Sequence, residues 1–95
     1  MTRETRFNNA CVDRFAESMK RRLAEKYAEG RGGWWNIGHV DPDELRRALI
    51  RKVVKGKGRL VDVAVYAMMI DAIDHGSTNE EVARCYREIG REGSV

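Results

Sequence analysis

Cysteine and aromatic residues are scarce in this sequence. The 95-residue chain contains two cysteines, Cys11 and Cys85, and aromatic residues make up 7% of it. The two cysteines are far apart and neither belongs to a CxxC or CxxH pair, which argues against a disulfide framework and against a zinc site. We expect each of them to lie on the buried side of a helix as a small apolar residue.

Long uninterrupted apolar runs are also missing. The first residues, MTRETRFNN, are polar and no apolar run follows them, so the sequence offers no signal peptide. The most apolar stretch, residues 60–75, contains Asp62, Asp71 and Asp74 and is shorter than the roughly 20 apolar residues of a membrane span. We therefore expect a cytoplasmic protein that does not contact a membrane.

Apolar residues recur at helical spacing along most of the sequence. Wound as a helix, residues 59–75 are apolar on nearly every side, which predicts a helix at the centre of the core. Asp41 and Pro42 predict the start of another helix, in which Glu44 completes a capping box and Leu45, Ala48, Leu49 and Val53 point inward. Gly56 and Gly58 predict a tight connection, so that this helix and the central one form a hairpin. A first helix is predicted from a cap at Asn8 or Asn9 to about residue 29, and a last helix from capping boxes that begin at Ser77 and Thr78 to about residue 90, with loose ends at 1–8 and 91–95. The chain is predicted to be a single all-α domain over 1–95, a small four-helix bundle. The predicted inward positions of the first helix are Val12, Phe15, Ala16, Met19, Leu23 and Tyr27.

A central helix that is apolar all round is unusual in so short a chain. Three other helices are too few to cover every side of it, so one side is left for a second copy. We therefore expect a homodimer.

A glycine-rich segment, Gly30 to Val40, carries two adjacent tryptophans, Trp34 and Trp35. Two interpretations stay open for them. The pair either pins the loop by aromatic packing, or it stacks on a base or docks a partner protein. His39, in the same segment, has no nucleophile or acid at a useful spacing and is assigned to the surface or to packing.

A basic run extends from Arg46 to Arg59 and has seven Lys and Arg residues and no acid. Arg47, Arg51 and Lys55 are four residues apart and line up on one side of a helix. Such a row contributes nothing to helix stability, so it serves either solubility or the binding of phosphate, nucleic acid or an acidic protein patch. The candidate binding residues are Arg47, Arg51, Lys52, Lys55, Arg59, Trp34, Trp35 and Arg31.

Two segments resemble the small MazG-like proteins of phages and prophages, relatives of the all-α nucleotide pyrophosphohydrolases. The most specific parts are GRGGW, at Gly30 to Trp34, and VDVAVYAMM, at Val61 to Met69, within a likeness that covers about residues 15–70. The resemblance implies a helical bundle, a homodimer or larger assembly, and Mg²⁺ held by ExxE on one helix and ExxD on the next. Facing carboxylates at this spacing would hold the ion that polarises a triphosphate.

The metal-binding acids of that pattern are largely replaced in this sequence. Asp62 matches the last acid of ExxD, but its partner position is Arg59, and the ExxE positions hold Lys52 and Lys55. Asp62 is thus a weak metal candidate, and the simpler interpretation is that it caps its helix or pairs with Arg59 or Lys55. No resident cofactor is expected.

Three functions follow from these features. The first is a non-catalytic, phage-type MazG-like protein that binds a host protein or a phosphate-bearing ligand, including an anti-CRISPR or other counter-defence role. The second is a divergent Mg²⁺-dependent nucleotide pyrophosphohydrolase, using Asp62 with acids such as Glu44 or Asp71. The third is a small nucleic-acid-binding protein.

A cluster of Asp71, Asp74 and His75 is either a weak cation site or ion-paired.

Overall fold

The fold is all-α, as predicted. The computed structural model describes residues 2–36, 40–55 and 59–92, and in these ranges it contains four α-helices and no strand. A 3₁₀ turn, Gly76–Thr78, joins the third helix to the fourth. None of the described helices combines the length and apolar content needed to cross a bilayer. The helices are α1 (Arg3–Ala28), α2 (Pro42–Lys55), α3 (Leu60–His75) and α4 (Glu80–Glu92).

Helix α1 begins well before the predicted start at Asn8 or Asn9. The Thr2 hydroxyl accepts a hydrogen bond from the Thr5 backbone N–H at 3.0 Å, which caps the helix at its first turn. Residues 3–8 are therefore helical, and the prediction of a loose N-terminal end is wrong from Arg3 onward. The helix ends at Ala28, close to the predicted end at about residue 29, and the chain turns at Gly30 with a φ of 83°.

Helix α2 starts as the sequence predicts. Asp41 accepts a hydrogen bond from the Asp43 backbone N–H at 2.9 Å, and Pro42 is the first helical residue. Glu44 does not complete a capping box, because its carboxylate accepts from Arg47 instead.

The start of α4 differs from the prediction. Asn79 accepts a hydrogen bond from the Val82 backbone N–H at 3.0 Å, so Asn79 caps α4 in place of Ser77 or Thr78. Both of those residues belong to the 3₁₀ turn, where the Thr78 hydroxyl donates to the His75 carbonyl at 2.7 Å. The helix continues to Glu92, so residues 91 and 92 are not loose, and residues 93–95 lie outside the described part.

Helix α3 packs against both α1 and α2. Arg46 near the start of α2 pairs with Asp74 near the end of α3 at 2.7 Å, so the two helices are antiparallel, as expected of the predicted hairpin. The predicted glycine connection, residues 56–58, lies outside the described residues. The buried apolar core consists of Leu45, Val65 and Met69, with partly buried side chains such as Met19, Leu23 and Trp34 around it.

Several predicted core positions are exposed. Val12 and Tyr27 of α1 are 66% and 78% exposed, and Val53 of α2 is 59% exposed. Both Cys11 and Cys85 are exposed, so the prediction that they are buried is wrong. The physical reason is the same at each position: no other described part of the chain covers the face on which the residue lies.

Truncation of a core residue tests this packing. Leu45 is 7% exposed, so Leu45→Ala should lower the free energy of unfolding by about 2–5 kcal/mol through reduced burial and the cavity left behind. Urea denaturation followed by circular dichroism measures the change. Glu17→Ala is the control, because the Glu17 side chain is 63% exposed and its replacement should change stability by less than about 0.5 kcal/mol. Equal effects of the two substitutions would contradict the assigned core.

Candidate functional site

The centre of the candidate site is Asp62, in the first turn of α3. It is 4% exposed, and its Oδ1 accepts a hydrogen bond from Arg22 Nε at 2.7 Å. Lys26 Nζ lies 3.9 Å from the same oxygen. Both cations belong to α1, so the predicted pairing of Asp62 with Arg59 or Lys55 is wrong. The ion pair instead joins α1 to α3.

Lys26 is the second buried charge of the site. It is 7% exposed, and its ammonium lies 4.8 Å from the centre of the Tyr66 ring, a cation–π contact. The sequence pattern placed the neighbouring Tyr27 inward instead, but the rotation of α1 that brings Lys26 to Asp62 leaves Tyr27 in solvent. The sequence does contain a signal that Lys26 is buried, because Lys26 lies three residues after Leu23, on the apolar stripe of the helix.

The surroundings of Asp62 determine its protonation. Burial by itself would raise the pKa of Asp62, but the hydrogen bond from Arg22 and the positive charges of Arg22, Lys26 and Lys52 outweigh burial and lower the pKa. Burial lowers the pKa of Lys26, and Asp62 partly opposes that effect. Asp62 is therefore a carboxylate at neutral pH, and it is surrounded by cations.

This donor set does not fit the Mg²⁺ that the MazG resemblance implies. Magnesium requires several oxygen ligands, whereas Asp62 Oδ1 already faces Arg22 and Lys26. Lys52, one of the positions where the family pattern has an acid, adds a further positive charge close to Asp62. Over the described ranges, no group of three or more His, Cys, Asp or Glu residues could hold a metal ion. No catalytic step through a metal follows from this arrangement.

The other acids considered at the sequence level are engaged elsewhere. Glu44 pairs with Arg47 at the start of α2. Asp71 lies 3.5 Å from His75 on an exposed turn of α3, and Asp74 pairs with Arg46. Within this cluster, Asp74 is thus ion-paired with Arg46 of α2, in agreement with the simpler of the two interpretations.

The basic run divides into two parts. Arg46 and Arg47 face acids, since Arg46 pairs with Asp74, and Arg47 pairs with Glu44 and lies 3.9 Å from Asp41. The remaining cations that the structure describes make no ion pair with any other described residue. These four, which we call the basic patch, are Arg51, Lys52, Lys55 and Arg59.

The basic patch occupies the end of α2 and the residue before α3. Arg51, Lys55 and Arg59 are exposed, whereas Lys52 is half-buried and its charge acts on Asp62. Lys57 lies outside the described residues. Three cations of the patch therefore face solvent, and the fourth, Lys52, lies closer to Asp62.

The two tryptophans are half-buried and line two grooves. One groove, of about 350 Å³, also includes Lys26, Tyr27 and Arg31 in its lining, at the end of α1. The other, of about 250 Å³, lies between the tryptophans, the end of α3 and α4. Its lining is Trp34, Trp35, Ala72, Ile73, Gly76, Ser77, Val82 and Tyr86.

The two grooves bear on both interpretations of the tryptophans in the segment from Gly30 to Val40. Trp34 packs against the core and also borders both grooves, so packing and an accessible aromatic surface coexist. The cations that share a groove with the tryptophans are Lys26 and Arg31, rather than the row on α2. Arg31 is exposed and pairs with Glu29 at 3.1 Å. His39 lies outside the described residues.

Comparison with known proteins identified no relative of this chain. No family model, curated protein or solved structure matches this chain. The MazG-like resemblance therefore stays a prediction, and the site is interpreted from its own contacts.

Removal of the central carboxylate tests its structural role. Asp62→Asn leaves Lys26 buried without a compensating charge, so the free energy of unfolding should fall by about 3 kcal/mol. Asp74→Asn is a matched control, because it breaks an exposed Asp–Arg pair and should cost less than about 1 kcal/mol. Similar decreases in the two variants would show that the buried pair has no special role.

The same pair predicts a pH dependence. The pKa of Asp62 is lowered in the folded state, so the unfolded chain binds the proton more readily as the pH falls. The stabilisation is complete above the unfolded pKa of about 4 and is lost as the pH falls through the folded value. Urea denaturation of wild type and Asp62→Asn from neutral to acidic pH should show the stability difference shrinking below about pH 4. A constant difference would contradict the assignment.

Proposed function

We propose that this chain is a non-catalytic binding protein that recognises a phosphate-bearing ligand through the basic patch. The supporting observation is that the four cations of the patch make no ion pair with any described residue, although Arg46 and Arg47 on the same helix do. Unpaired surface cations bind polyanions and release the counterions of the phosphates. The host-directed role that the resemblance implies stays a prediction.

The position of the cations favours a ligand with several phosphates. Arg51 and Lys55 are one helical turn apart on the exposed side of α2, and Arg59 follows at the start of α3. Arginine can contact a phosphate through two N–H groups at once, and lysine contributes a point charge. A chain of phosphates can engage all of these side chains together.

We propose a protein without catalytic activity because of the contacts that the Asp62 carboxylate makes. Its carboxylate is occupied by a hydrogen bond from Arg22 and by the nearby Lys26, and further cations lie where a pyrophosphohydrolase would need acids. A triphosphate drawn to these cations would be bound without a metal that polarises it.

Neutralising two charges tests the patch. The double substitution Arg51→Gln and Lys55→Gln should weaken binding of inorganic polyphosphate and of a labelled single-stranded oligonucleotide. For the oligonucleotide, the slope of log affinity against log salt should become shallower by about 0.7 for each phosphate that the variant no longer neutralises. Fluorescence anisotropy over a series of salt concentrations measures both quantities.

The control removes the same charges elsewhere. Lys20→Gln with Arg21→Gln takes one Lys and one Arg from the exposed side of α1, so the net charge is identical. This variant should retain the wild-type slope. Equal weakening in both double variants would mean that net charge, rather than the patch, determines binding, and the proposal would fail.

We also propose that the protein acts as a homodimer, because a single copy leaves too much surface uncovered. The chain exposes 7602 Å², whereas a compact monomer of 10.9 kDa exposes about 5600 Å². Its radius of gyration is 15.0 Å, against about 12 Å for a compact chain of this length. The excess of about 2000 Å² per chain matches the area that obligate dimers bury.

The apolar part of that surface has a defined location. Every residue from Thr2 to Arg14 in the first half of α1 is exposed, including Phe7 at 68% and Val12 at 66%. Helix α2 adds an exposed apolar row beside its basic row, so a second copy seated on the apolar row would leave the basic patch at the rim of the interface. The apolar row is Ile50, Val53 and Val54.

A charge placed in the apolar surface of α1 tests the dimer. Wild type should have twice the mass of the 10.9 kDa chain by light scattering coupled to size-exclusion chromatography. Phe7→Glu should give the single-chain mass with an unchanged helical spectrum, because no part of its own chain buries the Phe7 ring. Asn8→Glu, one residue along on another face, is the control and should stay dimeric. A single-chain mass for wild type would refute the dimer.

A further inference from the structure

The first half of α1 extends past the helix against which α1 packs. Helix α1 has 26 residues and α3 has 16, so α1 is about 15 Å longer than α3. An apolar row at intervals of four residues follows most of α1. Its last members, Met19 and Leu23, pack against the core, whereas no described part of the chain covers Phe7 and Cys11. The row is Phe7, Cys11, Phe15, Met19 and Leu23.

The groove of about 250 Å³ beside α4 offers a second uncovered apolar surface. Trp34 and Trp35 form one part of its lining, and Val82 and Tyr86 of α4 form another. Val82 and Tyr86 are 44% and 50% exposed, so the apolar face of α4 is only half covered by its own chain. None of the described residues that line this groove is charged. Three aromatic rings without a charge suit an apolar aromatic side chain.

The exposed area indicates that the occupant of this groove is a second copy of the chain. One chain exposes 7602 Å², against about 5600 Å² for a compact monomer of its mass, an excess of about 2000 Å². A stable dimer buries an area of this size, so one partner has to cover both the start of α1 and the groove. A two-fold axis meets both needs, because α1 of each copy then enters the groove of the other.

Opposite charges accompany the two surfaces. Arg14 lies seven residues after Phe7 on α1, and Glu88 lies six residues after Val82 on α4. Arg14 and Glu88 are exposed, and neither makes an ion pair with a described residue. These spacings correspond to about 10 Å along α1 and about 9 Å along α4. A Phe7 ring beside Val82 therefore brings Arg14 to Glu88 when the two helices run in the same direction.

We propose that the first half of α1 docks in the groove of a second copy, and that the exchange is reciprocal. The Phe7 ring then contacts the apolar face of the partner's α4 and the tryptophans of the partner subunit. An amphipathic helix in an apolar groove is a common mode of recognition between proteins. The inference rests on the proposed homodimer and deepens it, because it assigns the surface that Phe7 contacts.

The two native cysteines, both exposed, report the proposed contact. Cys11 lies one turn after Phe7 on the same row, and Cys85 lies on α4 between Val82 and Glu88. The docking therefore brings Cys11 of one copy to Cys85 of the other. A short bis-maleimide should join wild-type chains into a covalent dimer on a denaturing gel, and Cys11→Ser or Cys85→Ser should each abolish this product. A mixture of the two variants should restore it.

The cross-linking pattern also distinguishes the alternatives. A covalent dimer that persists in Cys85→Ser would mean that α1 pairs with α1, and products longer than two chains would mean that the contact does not close on itself. Either result would overturn the proposal. A two-chain mass by light scattering without any cross-link would overturn the docking and leave the homodimer intact. A single-chain mass would refute both.

A charge placed in the groove tests the same contact from the side of α4. Tyr86→Glu should raise the dissociation constant of the dimer about 30-fold or more, as expected for the loss of a central aromatic contact. Its helical spectrum should not change, because Tyr86 is 50% exposed. Analytical ultracentrifugation measures the dissociation constant. An unchanged dissociation constant in Tyr86→Glu would overturn the proposal.

The control for Tyr86→Glu is Arg87→Gln, one residue along α4 on another exposed face. Removing a positive charge changes the net charge as much as adding a negative one, so the two variants have the same net charge. The dissociation constant of Arg87→Gln should stay within about twofold of wild type. Equal weakening in the two variants would assign the effect to net charge and refute the docking.

Discussion

The buried ion pair between Asp62 and the cations of α1 determines how this molecule is arranged. A carboxylate that is almost fully buried needs compensation, and Arg22 supplies it with a hydrogen bond of 2.7 Å across the interface between α1 and α3. This requirement fixes the rotation of α1 about its own axis. The same rotation buries Lys26 over Tyr66 and exposes Tyr27, so the electrostatics of one residue on α3 decide which face of α1 is covered.

The small core makes this interaction especially important. The buried apolar side chains of the described residues are Leu45, Val65 and Met69, so apolar packing alone gives α1 little directional preference. Ion pairs depend on position and angle, whereas apolar burial depends mainly on area. The charged residues therefore contribute specificity to an interface that has little apolar area to supply it.

The proposed phosphate-binding surface belongs to an excess of cations at the end of α2. Lys52 is half-buried and its positive charge acts on Asp62, whereas Arg51 and Lys55 are exposed on the same helix. Lys26 is one of the residues that line the groove beside the tryptophans.

The sequence by itself determined the helices. The central helix was predicted at residues 59–75 and is found at Leu60–His75, and Asp41 with Pro42 gave the correct start of α2, because apolar periodicity and end caps act over a few neighbouring residues. The tertiary structure alone decided which charges meet. Arg22 and Lys26 are about 40 residues from Asp62 along the chain, and no local pattern encodes a contact between helices at that separation. Local rules specify where a helix lies in the sequence, whereas its rotation depends on what the neighbouring helix presents to it.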